Sequence, residues 1–192
     1  MIMYVIVFQG IFGMEGDNGS PYVVWFLPGM ALWQAINDSV MSSSMSIRNY
    51  SYLVKKVVFP VDIIPIMSLI GSSFVSIFLM LVATAVCAVF GYTPNVFIII
   101  YILIALYAFL IAFTRFTSAL TTLVPDFSNL LGILMQLFFW ATPVVWSITR
   151  LAGHTTILKI IQCMPFSYLI TAFRGAFMGE NIIIANHGLY TI

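Results

Sequence analysis

The chain has 192 residues, of which 62% are hydrophobic and 7% charged, with a formal net charge of +1. Soluble domains run at roughly 45–50% apolar and about 25% charged residues, so water is excluded as the main solvent and the chain reads as an integral membrane protein. A nucleic-acid partner is excluded too, since it would need a basic patch or stripe far richer than this.

In chain order, residues 1–13 are apolar but too short to span a bilayer, and they lack the basic start of a signal peptide. They read as the outer half of a partial first span. A bilayer core of about 30 Å takes about 20 helical residues to cross, and the stretch 21–41 is long enough although it holds Gln34, Asn37 and Asp38. Between the two lies MEGDNGS, a turn-forming loop.

Residues 47–58 come next, with Lys55 and Lys56 side by side among valines. On a helical wheel at about 100° per residue, Ile47, Tyr50, Leu53, Val54, Val57 and Val58 fall within one arc of about 140°. Arg48, Asn49, Ser51, Tyr52, Lys55 and Lys56 fill the opposite arc. A lysine at mid-membrane costs about 2.5–3.5 kcal/mol, so this segment is expected to lie along the membrane surface as an amphipathic helix. Pro60 disfavours helical geometry at Phe59 and suits the first turn of a new helix, which Asp62 would favour from its positive end. The chain is therefore expected to turn a corner at Phe59 and Pro60 and enter a span over 61–90, with Pro65 bending the entry.

A second turn sequence, GYTPN at 91–95, leads to a span over 96–114, and PDFSN at 125–129 leads to another over 130–146. Beyond it, Gly153, His154, Lys159, Pro165 and Arg174 interrupt the apolar runs. Two short re-entrant helices on the outer side fit that stretch better than one span, because such backbone is tolerated where protein or a water-filled cavity covers it. Both ends of the chain look cut. The expected fold is thus all-α and polytopic: four full transmembrane helices, a partial first span, an interfacial helix and outer re-entrant short helices, in one domain over 1–192.

Arg48, Lys55, Lys56 and Arg115 share one side, whereas the loops at 14–20 and 91–95 hold no Lys or Arg, so the first side is assigned to the cytoplasm. Cys87 and Cys163 stand far apart without a CxxC pattern, and His154 and His187 are isolated, so neither a disulfide framework nor a metal site is indicated. Gly71, Ser72, Ser73 and Ser76 suit close helix packing. Asp38 is an intramembrane ionisable group and hence a functional candidate, with interfacial solvation as the plainer reading.

Four stretches carry a family resemblance: YVVWFLPGMALWQAINDSV, NYSYLVKKVVFPVDIIP, LVPDFSNLLGILMQLFFWATPVVWS and MPFSYLITAFRGAFMGE. Together they resemble the permease subunit of bacterial ATP-binding-cassette exporters of polysaccharides, the family of O-antigen, capsule and teichoic-acid exporters. The chain departs from that pattern at Pro125, where many relatives carry Arg before the aspartate that is Asp126 here, and in lacking the family's first amphipathic helix, complete first span and last span.

The resemblance implies a transport subunit of the bacterial inner membrane rather than an enzyme, paired as a homodimer and bound to two cytoplasmic ATPase subunits. Those partners would bind ATP and Mg, consistent with the lack of a GxxxxGK[ST] phosphate loop in this chain, which holds no cofactor of its own. The substrate would be a lipid-linked glycan or polyol-phosphate polymer. Arg48, Tyr52, Lys55, Lys56, Phe59, Pro60 and Asp62 would couple to the ATPase. Tyr22, Trp25, Trp33, Phe139, Trp140, Pro143, Trp146 and Arg174 are candidates for the substrate path or gate, since aromatic faces stack on sugar rings; anchoring in the head groups is the plainer reading of the tryptophans and of Tyr22, and for Arg174 an interfacial anchor and a gate contact to an anionic glycan stand level. Two other classes stay open: an exporter permease for drugs or other small molecules, and a polytopic transferase acting on lipid-linked substrates through Asp38, Asp62 and Asp126.

Overall fold

A computed structural model describes residues 3, 6–11, 13, 20–52, 60–146, 160–161 and 164–178. Among these residues there is no strand. A π-helical turn, Ile6–Ile11, precedes six α-helices: α1 Tyr22–Ser44, α2 Ser46–Asn49, α3 Ile63–Val89, α4 Val96–Leu123, α5 Phe127–Ala141 and α6 Pro165–Met178. Lys55, Lys56, Phe59, His154, Lys159 and Cys163 lie outside the described residues, as does the second half of the expected interfacial helix, 53–58.

Helix α1 is the hub and packs against α3, α4, α5 and α6. Val24, Phe26, Leu32, Ile36 and Val40 are all fully buried, and only one stripe, through Val23, Leu27, Met30, Gln34, Asp38 and Met41, is half-exposed. Helices α3 and α4 show the opposite arrangement. They are the two described helices long and apolar enough to cross a membrane, yet Phe74, Phe78, Leu81, Phe97, Tyr101 and Ile104 all face outward. Apolar side chains pointing away from the protein in such numbers need a hydrocarbon solvent, because a soluble chain exposes contiguous apolar patches of only a few hundred Å². In that solvent apolar burial does not drive helices together. Packing and hydrogen bonds hold α1 inside.

The helix ends follow local rules. Helix α3 stops in a Schellman motif: Gly91 takes φ 83°, its amide donates to the Ala88 carbonyl at 3.0 Å, and that of Tyr92 donates to the Cys87 carbonyl at 3.0 Å. Asn95 caps α4, its side chain accepting from the Ile98 amide at 3.4 Å. Helix α5 ends at Ala141 because Pro143 forces Thr142 into extended backbone, with ψ 149°.

Several features differ from those expected, α5 among them: expected over 130–146, it spans Phe127–Ala141, ending there because of the proline just described. Helix α4 runs on past Thr114 to Leu123 because Thr114, Thr117, Thr121 and Thr122 turn their hydroxyls back onto carbonyls of their own helix, so a polar-looking stretch stays helical. Pro65 falls in the first turn of α3, which begins at Ile63; a proline there lacks only an amide that has no intrahelical acceptor. Helix α1 ends at Ser44, the chain turns at Met45, and only Ser46–Asn49 and then residues 51–52 are helical before the described residues stop. Tyr50, set by periodicity on the apolar arc, is exposed.

Helix α6 begins near half-height of the bundle, where Phe166 meets Trp33, Phe109, Phe113 and Phe138. It ends level with the start of α4, the Asn95 amide donating to the Ala176 carbonyl at 2.9 Å.

Candidate functional site

Two clusters gather the residues singled out by sequence, one at each end of the bundle. At the end where α1 begins, the centre is Arg174. Helix α6 carries it inward, and it is only 5% exposed. Its Nε donates to the Trp25 carbonyl at 2.8 Å, and its two terminal nitrogens donate to the carbonyls of Pro143 and Val144, each at 3.0 Å. The guanidinium carbon sits 3.6 Å from the centroid of a Trp25 ring, a cation–π contact. A planar fork with several fixed donors suits such a site, where an ammonium would not.

The neighbouring residues explain how an arginine fits there. A Cβ on Gly29 would collide with the Arg174 guanidinium, so glycine at this position is what admits the side chain. Pro28, inside α1, has no amide to offer the Val24 carbonyl. The Cys87 thiol of α3 approaches that carbonyl at 3.9 Å, a re-satisfaction of the kind that lets membrane helices tolerate proline. The Tyr22 hydroxyl donates to the Val145 carbonyl at 3.0 Å, and its ring stacks on Phe26 with centroids 5.4 Å apart.

Of the residues expected to form a path or gate, Tyr22, Trp25, Trp33, Phe139, Pro143 and Arg174 are therefore buried within this chain. Trp33 and Phe139 meet at mid-bundle with centroids 5.7 Å apart and their rings tilted by 47°. Trp140 is exposed, and the half-buried Trp146 donates its indole N–H to the Trp140 carbonyl at 3.0 Å. Pro28, Gly29, Cys87 and Phe166 belong to this region without having been singled out for it. The dipeptide Pro28–Gly29 inside an apolar run was the available signal.

The second cluster lies where α1 ends. Arg48, Tyr50 and Tyr52 are exposed beside the loop between α4 and α5, and an Arg48 terminal nitrogen stands 3.5 Å from the Pro125 carbonyl. Pro60 and Asp62 are exposed in the turn before α3, and Asp62 caps that helix by position without a side-chain bond. Inside this end, hydroxyls replace aromatics: Ser39 and Ser72 are bonded at 3.0 Å, and Ser43 donates to the Pro65 carbonyl at 3.1 Å. The Asp38 carboxylate accepts from Gln34 one turn earlier at 2.9 Å. Among the described residues, no three His, Cys, Asp or Glu side chains gather as metal ligands.

Outward-facing apolar helices around a polar-stitched hub define an α-helical membrane protein of the polytopic kind. The sequence model of the ABC-2 type transporter family matches residues 1–178, and the chain belongs to that family. It is similar to the O-antigen export system permease protein RfbA of Myxococcus xanthus, with 22% identity over 182 residues, 92% of this chain and 68% of that protein. A protein of the same description from Klebsiella pneumoniae is 23% identical over 184 residues, 94% of this chain and 69% of the relative.

Proposed function

We propose that the protein is the membrane subunit of an ATP-driven exporter that moves a lipid-linked polysaccharide across the bacterial inner membrane. The observation that carries this reading is the similarity along more than nine-tenths of the chain to two O-antigen export permeases. Family membership supports a division of labour in which a separate ATPase supplies the energy. The protein works as a homodimer with two such ATPases, and glycan passes between the two copies.

The chain's own chemistry fits the roles. Four spans, α1, α3, α4 and α5, cross the bilayer, and α6 is a re-entrant half-helix on the outer side, entering at mid-bundle and running outward. The exposed Arg48, Tyr52, Pro60 and Asp62, with Lys55, Lys56 and Phe59 between them in sequence, form the cytoplasmic face on which the ATPase docks. Hydroxyl-rich packing behind that face lets the helices adjust to its motion.

The test takes the protein in its native cell. Disrupting the gene should remove polysaccharide from the cell surface while its lipid-linked precursor accumulates inside. Lys55→Glu with Lys56→Glu should leave membrane insertion intact and stop export, with recovery of the ATPase on purification reduced at least tenfold, since a desolvated interfacial charge pair is worth about 2–5 kcal/mol. Unchanged surface polysaccharide after disruption would reject the function; normal ATPase recovery in the double variant would reject the docking face alone.

A further inference from the structure

Helix α1 has a weak point close to its start. Pro28 cannot donate to the Val24 carbonyl, and the thiol that approaches that carbonyl from α3 is 3.9 Å away, a weak bond at best since thiols are poor donors. The turn and a half before Pro28 therefore depends on outside support. Arg174 supplies it, through the Trp25 carbonyl at 2.8 Å and the Trp25 ring, and the same guanidinium holds the Pro143 and Val144 carbonyls. Charge-assisted bonds of this kind are roughly twice as strong as neutral ones. One of them, together with the contact to the Trp25 ring, ties α6 to α1 and the other two tie α6 to the turn after α5; against a single weak thiol contact, α1 yields at Pro28 before it parts from α6.

We propose that Arg174 is a latch: it holds the proline-interrupted start of α1, the turn after α5 and helix α6 together as one unit, and its removal opens this end while the Ser44 end stays packed. Gly29 is the other half of the device, because the space it leaves is the space the guanidinium fills. Both the arginine fork and the absent side chain are needed. Lysine retains the charge but carries its donors on one atom, so it cannot reach three carbonyls and lie flat on the indole. Alanine at position 29 leaves Arg174 chemically intact and displaces it.

That second substitution separates the latch from simple helix stability. Glycine inside a helix is less favourable than alanine, so helix propensity alone predicts that Gly29→Ala strengthens α1. The latch predicts the reverse. As a role in export the latch rests on the function proposed above, but its existence is testable without transport.

The experiment measures the rate at which a bulky water-soluble maleimide labels single cysteines in the purified protein, in a background with Cys87→Ser and Cys163→Ser. Val144→Cys reports on the latched end and Val40→Cys on the other; both valines are 0% exposed. With Arg174 and Gly29 intact, both positions should resist labelling. Arg174→Lys and Gly29→Ala should each raise labelling at position 144 tenfold or more and leave position 40 protected. Protection at position 144 in the Gly29→Ala variant would overturn the latch. So would equal exposure of both positions in either variant, since that would make Arg174 a determinant of the whole fold instead.

Discussion

The two ends of the bundle are held by different chemistry. Where α1 begins, polar bonds run between elements: Arg174 to α1 and to the turn after α5, Tyr22 to Val145, and Asn95 to Ala176. Where α1 ends, most hydroxyls bond back to their own helix, as Thr114, Thr117, Thr121, Ser73 and Ser76 do, and small side chains let the helices lie close. Ser39 to Ser72 and Ser43 to the Pro65 carbonyl are the exceptions that cross from α1 to α3. Helices whose polar groups are satisfied internally can slide past one another at little cost in hydrogen bonds. Cross-tied ones cannot, so the end nearer the proposed ATPase face is the one built to move.

The largest effect that sharpens this contrast is expected from Arg174→Leu. It leaves three buried carbonyls without a strong donor, and the loss should be about 3 kcal/mol, since bonds to charged groups contribute about 1.5–3 kcal/mol each and relief of desolvating the charge offsets part of it. Unfolding of the purified protein in mixed micelles would read it as a lower midpoint. Tyr22→Phe is next, removing one neutral bond at the same end for about 1 kcal/mol. Ser39→Ala with Ser72→Ala should cost least, about 0.6 kcal/mol, the average for a hydrogen bond between membrane helices. A serine pair as costly as Arg174 would erase the difference between the two ends.

Much of the helical framework was legible in advance because apolar runs and turn residues announce themselves. GYTPN marks a cap and an N-terminus that the structure forms, whereas the span expected over 130–146 runs through Pro143, before which α5 stops at Ala141. What sequence hid was orientation within the bundle. Composition ranks 21–41 as the least membrane-like of the long segments, and it proves to be the most enclosed by other helices, because side chains surrounded by protein can include serines such as Ser39 and Ser43 that lipid would not solvate. Arg174 was visible as an unusual charge in an apolar stretch. Its three carbonyl partners were not, since they come from Trp25, Pro143 and Val144, far apart in the chain and brought together only by the packing of α6 on α1. The Pro28–Gly29 pair signalled an irregularity in α1 but not the role of Gly29, as a missing side chain has meaning only against the neighbour that fills its place.

In the function proposed above, the protein conducts a lipid-linked polysaccharide when a partner hydrolyses ATP. The most direct measurement reconstitutes it with its ATPase in proteoliposomes and follows a lipid-linked glycan reaching the side opposite the ATPase. ATP-dependent appearance of the glycan, abolished when the ATPase is omitted, is the predicted result. ATP hydrolysis at a normal rate with no glycan crossing, or glycan crossing equally well without ATP, would contradict it.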